Sequence, residues 1–170
     1  MFPRAASGYL GPVADMFTPD VPIEGVDAML AAGEAFAGLL RPGDRIFLQG
    51  PLGAGKTTFV RGVVRGLAHP DAREVASPTF ALHHRYEGGR LPVDHLDLYR
   101  LPAPVDLFVE GLDTVLEDDE SVTFIEWPER LAAFPKGATW LLRIDAPAED
   151  RRLIAVDVFP KSALPEGRSS

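Results

Sequence analysis

The chain has 170 residues, 46% of them hydrophobic and 25% charged, enough for one domain with a real core and too few for two. It has no cysteine, which excludes disulfides and thiolate metal sites. Its net charge of −8 argues against autonomous gripping of DNA or RNA, which relies on a basic face. Residues 1–22, rich in Pro, Gly and Ala, are expected to form a loose arm, and 161–170 a polar tail, with one domain over 23–160. The N-terminus lacks the apolar core of a signal peptide, and no stretch approaches the ~20 apolar residues of a membrane span. A cytoplasmic protein is expected.

From Val26, apolar or small residues recur at Met29, Leu30, Gly33, Ala37 and Leu40, which is helical spacing. "RPGD" (41–44) is a turn, and "RIFLQ" (45–49) a short buried strand. A second helix opens at Lys56, with Phe59, Val63 and Leu67 on one face. "TFALHHRYE" and "LPVDHLDLYRL" flank a "GGR" turn and read as a hairpin. "PVDLFVEGLDTVL" is expected to be helical, "SVTFIEW" a buried strand, and "PERLAAF" a short helix opened by its proline. "TWLLRIDAP" and "RRLIAVDVF" are two strands around "AED". Interleaved helices and strands with two hairpins give an α/β sandwich with a mixed, parallel plus antiparallel sheet.

Between the first long strand and the second helix stands "GPLGAGKT" (50–57), which matches G-x-x-x-x-G-K-[ST] in its required strand–loop–helix setting. Glycines at 50, 53 and 55 remove the Cβ atoms that would keep the backbone from curling around a phosphate. The N–H groups of 53–58 and the helix N-terminus then face the anion. Lys56 reaches the β- and γ-phosphates, and the Thr57 hydroxyl holds Mg²⁺. The chain has no asparagine, so the guanine-reading Asn-Lys-x-Asp segment is absent. Its one glutamine, Gln49, precedes the loop and is no switch glutamine. ATP is therefore the expected nucleotide. A carboxylate at a buried strand end is needed near Mg²⁺. Glu126, closing "VTFIE", is the first candidate, and Asp97, closing "LPVDHLD", is the candidate for a supporting or water-orienting acid. Neighbouring strand residues face opposite sides, so His83 and His84 are not expected to share a metal. A small-molecule phosphotransferase is the alternative reading, although the acidic segment 106–120 makes a poor arginine lid.

"GDRIFLQGPLGAGKTTFVRG", "SPTF", "HLDLYRL", "EGLDTVL" and "FIEWPERL" together resemble the TsaE (YjeE) family over about residues 43–131, more weakly beyond. The resemblance implies a P-loop NTPase-like three-layer sandwich and an ATPase required for N6-threonylcarbamoyladenosine at position 37 of tRNAs reading codons that begin with A. It implies ATP binding by Gly53, Ala54, Gly55, Lys56, Thr57 and Thr58, and Mg²⁺ ligation by Thr57 and Glu126. It places Thr79 as a switch-like threonine and Asp97 as an acid, both linked to turnover. It sets Trp127 beside the metal acid, and matches Arg151 to an arginine near the nucleotide. The implied partners are the TsaB and TsaD proteins of the transferase heterodimer, with tRNA reached only through them. Hydrolysis is expected to be weak alone and stimulated by those partners. Two departures stand out: Pro51 replaces the family's usual acid, and Met29 a threonine of the first helix.

Overall fold

The computed structural model describes residues 17–18, 20–133 and 140–158. Most of the expected arm (1–16 and 19) and all of the expected tail lie outside the described residues. Phe17 does not behave as part of a loose arm. It is buried, with its ring edge-on to Phe36 and Phe59 at 5.7 and 6.4 Å, a packing that gives an aromatic side chain a large buried area.

The described chain runs β1 (Ile23–Glu24), α1 (Gly25–Ala37), β2 (Arg45–Gln49), α2 (Lys56–Gly66), β3 (His83–Tyr86), β4 (Val93–Asp97), α3 (Asp113–Glu117), β5 (Val122–Glu126), β6 (Trp140–Ala148) and β7 (Arg151–Val158). They form a seven-stranded sheet in the order β1-β7-β6-β2-β5-β4-β3. β2 pairs in parallel with β5 and β6, and β4 with β5, while β3–β4, β6–β7 and β1–β7 are antiparallel. The sheet is thus mixed, as the hairpins of the sequence require.

Side-chain alternation splits the core in two. Ile46 and Leu48 of β2, Phe124 of β5 and Leu142 of β6 face α1 and α2, while Phe47, Ile125 and Leu141 face the opposite layer with Leu96, Leu107 and Leu112. α1 buries Met29, Ala32, Gly33, Phe36 and Ala37, a stripe of helical period, against α2. The two helices meet backbone to backbone: a Cβ at Gly33 would lie 2.3 Å from the Phe59 carbonyl oxygen, and one at Gly62 2.3 Å from that of Leu30.

Two expected helices are shorter than their sequences suggest. In "PVDLFVEGLDTVL" only α3 is helical. The Asp106 carboxylate accepts the Phe108 N–H at 3.0 Å, and Gly111 takes a φ of +71°, so side-chain competition and a left-handed glycine hold 106–111 in turns. "PERLAAF" gives one 3₁₀ turn, Pro128–Arg130, because Leu131 turns extended to bridge Val105. β1 was not foreseen. Two residues carry no periodicity, and β7 alone supplies its partners.

Candidate nucleotide site

β2, β4 and β5 are parallel neighbours, and their last residues, Gln49, Asp97 and Glu126, end at one edge of the sheet. Crevices at such carboxyl ends are where α/β sheets bind ligands. The glycine loop leaves β2 here and enters α2. A Cβ at Gly50 would sit 2.4 Å from the Ile144 carbonyl oxygen on β6, so the chain can leave the sheet only as glycine. Gly55 caps α2 with a φ of +99°, a conformation that a side chain would strain. Gly53 has nothing within 4 Å of a built Cβ, so this side of the loop faces open space.

Lys56 is only 4% exposed. Its Nζ donates to the Gly50 and Pro51 carbonyls at 2.9 and 3.0 Å and stands 4.2 Å from the centre of the Trp127 ring. Burial holds its ammonium below the ordinary lysine range, with Glu126, Asp97 and Glu129 pulling the other way. A buried cation whose hydrogen bonds go to its own loop is a group that an incoming polyanion would redirect.

The Thr57 Oγ1 donates to Glu126 Oε1 at 2.9 Å. These are hard oxygen donors of the kind Mg²⁺ takes, so hydroxyl, carboxylate and open loop fit a Mg²⁺-triphosphate. Register puts Asp97 directly beside Glu126. Asp97 Oδ2 accepts from the Ser77 and Thr79 hydroxyls at 2.6 and 2.5 Å, and its Oδ1 from the Tyr99 N–H at 2.9 Å. The "SPTF" segment is thereby tied to the end of β4. Trp127 takes a left-handed φ of +61°, donates its backbone N–H to the Leu48 carbonyl, and has its ring 4.9 Å from that of Tyr99, tilted by 41°.

The structure therefore brings together Gly53, Ala54, Gly55, Lys56, Thr57, Thr79, Asp97 and Glu126. Thr58 lines a small open cavity of about 180 Å³ beside the loop, with Val26, Met29 and Arg152. Arg151 is the exception. It is exposed and pairs through its backbone with Glu24, whereas the neighbouring Arg152 donates to the Ala54 and Gly53 carbonyls at 3.0 and 3.1 Å. Successive strand residues alternate faces, so a one-residue difference moves the guanidinium to or from the loop.

Sequence reasoning also missed Ser77 and His95. His95 Nε2 lies 2.9 Å from Glu126 Oε1. A signal was present, since His95 and Asp97 are two apart in one strand and share a face. His83 and His84 do diverge: His83 bonds Asp94 at 2.7 Å, while the His84 ring lies edge-on to Tyr86.

The sheet and the strand–loop–helix unit define the class: an α/β protein with a mixed sheet and a glycine-rich loop at the carboxyl edge of its parallel strands. A family model described as "Threonylcarbamoyl adenosine biosynthesis protein TsaE" matches residues 23–154. The tRNA threonylcarbamoyladenosine biosynthesis protein TsaE of Synechocystis sp. is 39% identical over 127 residues, 71% of this chain and 74% of that one. Its namesake in Aquifex aeolicus is 32% identical over 137 residues, covering 81% and 94%. A crystal structure of YdiB from Bacillus subtilis superposes with a TM-score of 0.59 at 27% identity, covering 82% of this chain and 84% of its own. The chain belongs to the TsaE family, which takes part in the biosynthesis of tRNA threonylcarbamoyladenosine. Among the described residues, no helix is long and apolar enough to cross a membrane.

Proposed function

We propose that this chain is the ATP-binding and ATP-hydrolysing subunit of threonylcarbamoyladenosine synthesis. In this reading it works in the cytoplasm on the TsaB–TsaD heterodimer, which it activates or resets between rounds. The observation that carries the reading is the convergence of the buried Lys56 with the Thr57–Glu126 pair on one open glycine loop. The N–H groups of 53–58 hold the phosphates, and Lys56 leaves the Gly50 and Pro51 carbonyls for the β- and γ-oxygens. Thr57 and Glu126 would hold Mg²⁺, which when bound would neutralise charge developing on the phosphate oxygens. Asp97, steadied by Ser77 and Thr79, orients the attacking water; Thr79 couples the "SPTF" loop to the γ-phosphate. A net charge of −8 suits a subunit that reaches tRNA only through its partners.

The test is ATP hydrolysis by the purified chain, alone and with the TsaB–TsaD heterodimer, with Lys56→Ala as control. Slow turnover alone, strong stimulation by the heterodimer and loss of both in the variant are expected. Fast turnover by the isolated chain, or no response to the heterodimer, would overturn the partner-dependent reading. Phosphate transfer to an added small metabolite would overturn the ATPase assignment itself.

A further inference from the structure

One polar side chain at the site, His95, is fully buried. His95 sits in the middle of β4, opposite Phe124 of β5, on the sheet face that also carries Asp97 and Glu126. Its Nε2 lies 2.9 Å from Glu126 Oε1. Its Nδ1 is buried and has no hydrogen-bond partner among the described residues.

These facts together fix the tautomer. An ionised carboxylate only accepts, so the proton of a neutral imidazole belongs on Nε2. Placing it on Nδ1 would bury an orphan donor and leave two acceptors facing each other across 2.9 Å. Thr57 Oγ1 donates to the same Oε1, also at 2.9 Å. Two donors, one on β4 and one on α2, therefore grip a single oxygen of Glu126. No hydrogen bond to Oε2 occurs among the described residues.

We infer that His95 is a positioning residue for Glu126: its Nε2–H holds Oε1 so that Oε2 is presented to the divalent cation. This rests on the reading of Thr57 and Glu126 as cation ligands. Histidine suits the task because its ring supplies one directed donor at a fixed distance from the strand. A lysine or arginine would pair with the carboxylate and oppose the cation. A carboxylate only 3% exposed has little water to replace the lost donor, so removing the imidazole frees Glu126 to rotate. Outer partners of this kind are worth about 10–100-fold in metal affinity.

The test uses the full chain with ADP and Mn²⁺ as the probe. Bound Mn²⁺ is read from loss of the free-ion electron paramagnetic resonance signal. Nucleotide affinity in EDTA is read from Trp127 fluorescence, and thermal unfolding monitors the fold. His95→Leu is expected to weaken Mn²⁺ about 10–100-fold while nucleotide affinity in EDTA stays near the parent's. His95→Gln, whose amide nitrogen reaches the place of Nε2, is expected to recover most of the lost affinity. Should the leucine variant fail to fold, His95→Asn, whose amide is too short, takes its place and is expected to bind Mn²⁺ as weakly. Parental Mn²⁺ affinity in the leucine or asparagine variant would overturn the inference, and so would a glutamine variant no better than they are. If the parent itself bound no Mn²⁺ with ADP, the cation reading would fall and take this inference with it.

Discussion

Replacing Gly62 with alanine pits two effects of known sign against each other. In an ordinary helix the change is favourable, since alanine exceeds glycine in helix propensity by about 1 kcal/mol. Here the new Cβ would stand 2.3 Å from the Leu30 carbonyl oxygen and 3.0 Å from its carbonyl carbon and Cα. All three are backbone atoms of α1, so no rotamer change relieves the contact. Restoring an ordinary separation requires α1 and α2 to part by about 1 Å, loosening the Phe36 and Phe59 packing between them. Overpacking of a rigid core costs about 1–3 kcal/mol, and an obstacle of pure backbone belongs at the upper end. The net expectation is destabilisation by about 2 kcal/mol, which at a urea m-value of roughly 2 kcal/mol/M lowers the unfolding midpoint by about 1 M. Gly38→Ala is the matched control. Its Cβ would stand 3.4 Å from the Ala35 carbonyl oxygen, an ordinary contact, with φ already −65°, so its midpoint should hold or rise slightly. Gly33 faces the same contact from α1, so the Gly33→Ala/Gly62→Ala double variant should lose less than the sum of the singles. Urea titrations followed by tryptophan fluorescence decide the matter. A Gly62→Ala midpoint at or above the parent's would refute the close-packing argument.

Asp97→Asn keeps the shape of the residue held by Ser77, Thr79 and Tyr99 but removes its charge. Partner-stimulated hydrolysis should fall by about 10²-fold or more with ATP affinity changed only a few-fold, measured by phosphate release and nucleotide titration. Arg152→Ala removes two donors from the Gly53 and Ala54 carbonyls. Calorimetric titration should show nucleotide binding about 10-fold weaker, whereas Arg151→Ala should leave it unchanged. Asp118 is held below its ordinary 3.8 by the Glu120 N–H and then by the Arg85 guanidinium. A depressed carboxylate contributes stability that is complete above that ordinary value and lost as pH falls through the folded one. The gap in urea midpoint between the parent and Asp118→Asn should therefore be constant near neutrality and shrink below about pH 4.

The loop from Gly50 to Thr57 was legible from residues alone because what makes it is local. Glycine at set offsets permits the backbone path, and the flanking strand and helix show in the apolar period of a few residues either side. The same locality made β2, β5, the two hairpins and the family resemblance readable. The helical reading of 104–116 held only at its end, in α3, because an Asx-type bond at Asp106 and the left-handed Gly111 override periodicity before it. Other features depend on register between distant segments. The pairing of Asp97 with Glu126 follows from how β4 slides along β5, and the choice of Arg152 over Arg151 from how β7 seats against β1 and β6. The grip of His95 on Glu126, the backbone contact of Gly33 with α2 and the burial of Phe17 arise in the same way. A strand's side chains change face with every residue, and helices meet at the distance their smallest residues allow. The composition of each element was therefore set by its own sequence, and the partners of its side chains only by the packed sheet.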